Sequence, residues 1–186
     1  DKSGRVWVLD GGTELLKLEG HTDFVNSVRF SPDGTRIATA GGLDDQSVKI
    51  WDALTGQEVF SLEGHDNSVT CLSFHATSKW LASGSEDRTI HVWDVVTGKL
   101  VVVLKGHRGS VNSLSFSPRG KWLLSGSSDK TAQVWNLATQ KSDVTLEGHT
   151  KGIRSATFGP DGKVMATSSG DATIRLWKLI THKSGE

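Results

Sequence analysis

A histidine, a hydroxyl residue, an aspartate and a tryptophan recur four times in this chain at nearly constant spacing. The sets are His21, Thr39, Asp45 and Trp51; His65, Ser83, Asp87 and Trp93; His107, Ser125, Asp129 and Trp135; and His149, Thr167, Asp171 and Trp177. Hydroxyl, imidazole and carboxylate are the parts of a nucleophilic relay, so hydrolysis is the first chemistry to weigh. Such a relay needs one exposed nucleophile, a pocket and oxyanion donors, whereas this combination occurs four times and two copies carry Thr. The multiplicity points to a structural role and to no catalytic residue. The seven His residues are spread over separate units without a closely spaced Cys/His cluster, so no metal site is expected. Nor does any G-x-x-x-x-G-K-[ST] loop occur, and no cofactor is expected.

What must position these residues is a tandem repeat. Trp7, Trp51, Trp93, Trp135 and Trp177 are separated by 44, 42, 42 and 42 residues. Four Gly-His pairs, Gly20-His21, Gly64-His65, Gly106-His107 and Gly148-His149, keep the same step. Within the unit after His65, Val69 to Phe74, Trp80 to Ser83, Thr89 to Trp93 and Leu100 to Leu104 read as four short strands. Ser31-Pro32-Asp33-Gly34, Ser117-Pro118-Arg119-Gly120 and Gly159-Pro160-Asp161-Gly162 carry Pro at the second position and Gly at the fourth, as type I turns prefer. Thr55-Gly56 and Thr97-Gly98 close the last hairpin of their units. The expected fold is all-β, with units of four antiparallel strands.

These residues resemble the WD-repeat (WD40) β-propeller family, through the Gly-His openings, the Asp six residues before Trp, and the endings Trp51-Asp52 and Trp93-Asp94. The resemblance covers essentially the whole chain and departs from the pattern at Trp135-Asn136, Trp177-Lys178 and Trp7-Val8. It implies that each quartet forms one hydrogen-bonded network, in which Asp accepts, imidazole relays and the indole N–H donates. It also implies a top face formed by the loops before the first strand and between the second and third, where partners bind. The positions that map there are Phe24, Asn26 and Asp44, then Ser68, Thr70 and Glu86. The later units supply Ser110, Asn112 and Ser128, then Gly152, Arg154 and Gly170. Phe24 and Arg154 are the expected anchors, since aromatics and Arg dominate interface energies. Arg154 is the only arginine among those twelve positions, which weighs against a phosphopeptide reader. Leu54 and Val96 stand where members that dock on cullin-ligase adaptors often carry Arg. Trp80 and Trp122 are expected between neighbouring blades, and Cys71 as a small buried thiol.

The chain has 186 residues, 21 basic and 21 acidic, so its formal net charge is zero. That balance removes the broad cationic footprint of a nucleic-acid binder or of a protein held on anionic membranes. A single cysteine forms no internal disulfide, and the longest aliphatic run, Leu100 to Leu104, is far too short to span a bilayer. An intracellular setting, cytoplasmic or nuclear, is expected.

The repeats run at about 14–52, 56–94, 98–136 and 140–178, with 1–13 a partial preceding repeat and 179–186 a C-terminal tail. Family propellers most often have seven blades, so the expectation is a propeller fragment of about four repeats whose natural array is longer upstream, with its C-terminus a true end. The expected function is a non-enzymatic scaffold that binds peptide or protein partners on the top face. The alternatives are a C-terminal sensor or regulatory domain of a larger protein, such as a signalling NTPase, and a half-propeller that self-associates into a closed ring through its incomplete blades.

Overall fold

The computed structural model describes residues 1–178, and 17 strands account for its regular structure, with no helix among the described residues. The expected tail at 179–186 lies outside them. β1 (Ser3–Trp7) pairs with β2 (Glu14–Glu19) in a two-stranded sheet. Three four-stranded antiparallel meanders follow. They are β3 (Val25–Phe30), β4 (Arg36–Gly41), β5 (Val48–Asp52) and β6 (Glu58–Leu62); then β7 (Val69–Phe74), β8 (Trp80–Ser85), β9 (Thr89–Asp94) and β10 (Lys99–Lys105); then β11 (Val111–Phe116), β12 (Trp122–Ser127), β13 (Ala132–Asn136) and β14 (Lys141–Leu146). The last sheet has β15 (Ile153–Phe158), β16 (Val164–Ser169) and β17 (Ile174–Lys178), three strands among the described residues. We call the meanders blades 1 to 3 and the last sheet blade 4. Each sequence unit therefore opens on the outer strand of one sheet and ends on the third strand of the next. Glu14–Glu19 is hydrogen-bonded to β1 and not to the last sheet.

Local chemistry sets the connections. Gly34, Gly120 and Gly162 donate back to the carbonyls of Ser31, Ser117 and Gly159 at 2.8–2.9 Å. Each of these glycines sits at φ near +70°, where a side chain is disfavoured. At the third-to-fourth strand turns, the Asp52 and Asp94 carboxylates each accept from the N–H groups two and three residues further on. Asn136 Oδ1 accepts from Ala138 N at 3.1 Å in the same way, so the departure at Trp135-Asn136 keeps its turn function.

The core lies between sheets, not within them. Ala38, Val48 and Ile50 of blade 1 pack on Val69, Leu72 and Trp93 of blade 2. Ala82, Ile90 and Val92 then meet Val111, Leu114 and Trp135, while Leu124, Ala132 and Val134 meet Ile153, Phe158 and Met165. Leu18 of the two-stranded sheet is buried against Ile37 and Trp51. Trp122 is half-buried against the third of these interfaces, whereas Trp80 is 37% exposed and rests on His75. Faces without a neighbour among the described residues are visible in the same register. Ile174 and Leu176 are both 74% exposed, while Val48 and Ile50 at the equivalent positions are 0% exposed.

Candidate functional site

Three of the four quartets close as complete networks, and the fourth keeps two of its three bonds. His65 Nδ1 donates to Asp87 Oδ2 at 2.7 Å, its Nε2 meets Ser83 Oγ at 2.8 Å, and Trp93 Nε1 donates to the same oxygen at 2.8 Å. Blade 3 repeats this with His107–Asp129 at 2.8 Å, His107–Ser125 at 2.7 Å and Trp135–Ser125 at 2.8 Å. Blade 4 does so with His149–Asp171 at 2.8 Å and both His149 and Trp177 on Thr167 at 2.9 Å. Blade 1 keeps His21–Thr39 at 2.6 Å and Trp51–Thr39 at 2.8 Å, but its His21 Nδ1 stands 3.1 Å from Asp45 Oδ2 outside hydrogen-bond alignment. Each hydroxyl is 0–1% exposed and already engaged by indole and imidazole, so none is placed as a nucleophile.

A fifth member belongs to each network, one that the quartet reading missed. Ser47, Thr89, Thr131 and Thr173, two residues after each Asp, donate both their backbone N–H and their hydroxyl to the carboxylate. Its signal was present in the sequence as a hydroxyl residue at one fixed offset. The residue after each His donates its N–H to the same group. Burial pushes the Asp45 and Asp129 carboxyls up, but the summed hydrogen bonds outweigh it and hold both down at about 2. Asp87 and Asp171 are likewise held well below the usual carboxylate range.

The one group of three potential metal ligands among the described residues is His65, Asp87 and His91, whose donor atoms lie within 4.8 Å of one another. The imidazoles of His65 and His91 are stacked, with centroids 3.8 Å apart and planes 15° apart. An ion lying in the plane of one ring would stand well out of the plane of the other, and Asp87 is already taken up by His65 and Thr89. These residues fit a hydrogen-bonded pair better than a coordination sphere.

On the top face, backbone bonds lock the two loops of each blade together. The carbonyls of Phe24, Ser68, Ser110 and Gly152 accept from Gly42, Glu86, Ser128 and Gly170 at 2.8–3.0 Å. Three of the expected partner-binding residues also face a neighbouring blade. Asn26 donates to Val69 O at 3.0 Å, Thr70 to Val111 O, and Asn112 to Ile153 O at 2.7 Å. Arg154 holds the next place in that series. Phe24 is 71% exposed, and Asp44 and Glu86 are exposed on blades 1 and 2, while Ser68 is buried.

Two cavities of about 530 Å³ each open beside these loops and share Asn112 and Arg154 in their walls. One sits on the top face between blades 3 and 4, where Ser128, Gly152 and Gly170 meet Lys151. The other runs along the inner strands and adds Arg5 and Arg29, and neither wall contains a carboxylate. Lys151, in the top cavity, and Arg29, in the inner one, were not among the sequence-derived positions because they lie beside the assigned loop offsets. Cys71 lines the inner cavity at 7% exposure, and burial pushes its thiol up to about 12.

Comparison with known proteins agrees with this geometry. A family model described as the WDR3 first beta-propeller domain matches residues 1–179. Coronin-7 of Rattus norvegicus is 49% identical over 39 residues, 21% of this chain and 4% of that protein. Coronin-7 of Homo sapiens is 46% identical over 39 residues, with the same shares of each chain. The matched segment is thus one repeat long and spans a small part of those relatives. Blades of four antiparallel strands, four bonded quartets and a family match over nearly the whole chain lead to one assignment: the chain belongs to the WD-repeat β-propeller family, in the group of the WDR3 first beta-propeller domain.

Proposed function

We propose that this chain is a non-enzymatic interaction module that takes a peptide or protein partner on its top face. Domains of this family serve in general as protein-interaction scaffolds. The observation that carries the reading is the convergence of Asn112, Ser128, Gly152, Arg154 and Gly170 on one cavity, with the four hydroxyls of the quartets buried and engaged. The lone buried thiol fits an intracellular setting, cytoplasmic or nuclear. Affinity capture with the wild-type chain and with a Phe24→Ala, Arg154→Ala double variant tests the site. Loss of the same partner in the variant supports it, and unchanged capture removes the top face as the binding surface.

A second reading, self-association, is favoured by the exposure of Ile174 and Leu176 on the outer face of blade 4 and of Val28 and Phe30 on β3. Light scattering on the isolated chain distinguishes it. A monomer at all concentrations rejects self-association.

A further inference from the structure

The zero net charge conceals a top face divided into two halves. Beyond the Gly-His pairs, the top loops of blades 1 and 2 carry Asp23, Asp44, Asp66 and Glu86, with Arg88 as their one basic residue. The corresponding loops of blades 3 and 4 carry Arg108, Lys130 and Lys151, with Arg154 beside them at the start of β15, and their acids are the network residues Asp129 and Asp171. Those two carboxylates are committed to His107 and His149 and are nearly matched by Asp45 and Asp87 in the other half, so the network does not alter the contrast. On the outer edge, ahead of the Gly-His pairs, Glu19, Glu63, Lys105 and Glu147 do not follow the division.

Seven of the eight residues that make the division sit in loops at one end of the array, and Arg154 follows at the start of β15. The loops of each blade are locked to each other by backbone bonds, and the inner strands are linked by the Asn26, Thr70 and Asn112 bonds to the next blade. Seven of the eight, Asp44, Asp66, Glu86, Arg108, Lys130, Lys151 and Arg154, are exposed, while Asp23 is half-buried and accepts from Asp44 N at 3.1 Å. On the basic side the charges border a real recess, since Lys151 and Arg154 line the top cavity. Arg29, on β3 of blade 1, lies along the inner cavity that Arg154 also borders. No ion pair involves Arg29, Lys151 or Arg154 among the described residues.

We propose that the top face binds a charge-segregated peptide, its anionic segment seated over blades 3 and 4 between Lys151 and Arg154 and its cationic segment over Asp44, Asp66 and Glu86 of blades 1 and 2. The proposal rests on the scaffold reading above and specifies the chemistry of the ligand. Like charges placed against the wrong half are repelled, so the arrangement selects for register as well as attraction.

The experiment compares two labelled peptides of identical composition by fluorescence anisotropy. One has a run of glutamates followed by a run of lysines, and the other alternates the two. The block peptide is expected to bind the chain at least about tenfold tighter, with affinity falling as salt rises from about 50 to 200 mM. Lys151→Glu with Arg154→Glu should lose that preference, as should Asp44→Lys with Glu86→Lys, each with an unchanged circular dichroism spectrum. Combining all four substitutions restores opposite charge on the two halves and should regain most of the binding, with the peptide reversed. Equal affinity for the alternating peptide, equal affinity for polyglutamate alone, indifference to both charge reversals, or no saturable binding would each overturn the proposal. Failure here with partner capture still abolished by Phe24→Ala would leave the scaffold reading standing, since Phe24 carries no charge.

Discussion

His91 stacks on His65 with ring centroids 3.8 Å apart, although only His65 belongs to the repeated network. At the position of His91, opposite the network hydroxyl, the other blades carry Lys49, Gln133 and Arg175. His91 is 4% exposed and its Nδ1 has no hydrogen-bond partner. Burial and the neighbouring His65 and Lys105 push its ring down to about 4, against an opposing pull from Asp87.

Burial also holds His21 of blade 1 and His107 of blade 3 below the usual imidazole range, but only blade 2 has a histidine opposite its network hydroxyl, and that position should titrate. The folded-state value lies below the unfolded one, so the stability contributed by neutral His91 is complete above about pH 6.5 and is lost as pH falls through the window to about 4. The loss is on the order of 2–3 kcal/mol. His91→Gln, which copies blade 3, should reduce the fall in denaturation midpoints between those pH values, the remainder coming from His21 and His107, while leaving stability near neutrality within about 1 kcal/mol. An unchanged pH slope in the variant would remove His91 as its source.

Ser83 accepts from Trp93 and pairs with His65 in one buried junction. Ser83→Ala leaves both partners unsatisfied and should cost roughly 2–4 kcal/mol. Trp93→Ala, which opens a cavity against Val48 and Ile50, should cost about 3–5 kcal/mol. Urea titration checks both, and a wild-type midpoint in either variant would contradict the network's structural role.

Two glycines of similar backbone conformation separate strain from crowding. Gly34 has φ +72° and open space where a Cβ would go, so Gly34→Ala should cost only about 1 kcal/mol of backbone preference. Gly98 has φ +69°, but there a Cβ would stand 2.7 Å from Phe60 Cδ1 across the blade 1–blade 2 interface. Gly98→Ala should be the more destabilising by roughly 1–3 kcal/mol in thermal melts.

Cys71 is the single thiol, buried and pushed up to about 12. Modification by a thiol-directed disulfide reagent should be negligible in the native chain at neutral pH and should appear on denaturation. Fast labelling of native protein would show that the inner strands open readily.

Period, strand content and the four quartets were legible in the residues because each depends on local spacing. A strand alternates sides every residue, and a turn depends on the few residues within it. Val69 to Phe74 coincides with β7, and Leu100 to Leu104 lies inside β10. Ser47, Thr89, Thr131 and Thr173 were equally available but carry no signature until the carboxylate they serve is seen.

Other features depended on which blade lies next to which. Asn26, Thr70 and Asn112 read as exposed top-face residues, yet each donates to a carbonyl 41 to 43 residues further on. Arg29 borders the same inner cavity as Arg154 only because the inner strands converge. By itself the sequence determined the blade, the quartet and the family, since these are properties of one repeat copied along the chain. Tertiary structure decided the division of the top face into an acidic and a basic half, because charge adds up over loops that are distant in sequence and adjacent in space.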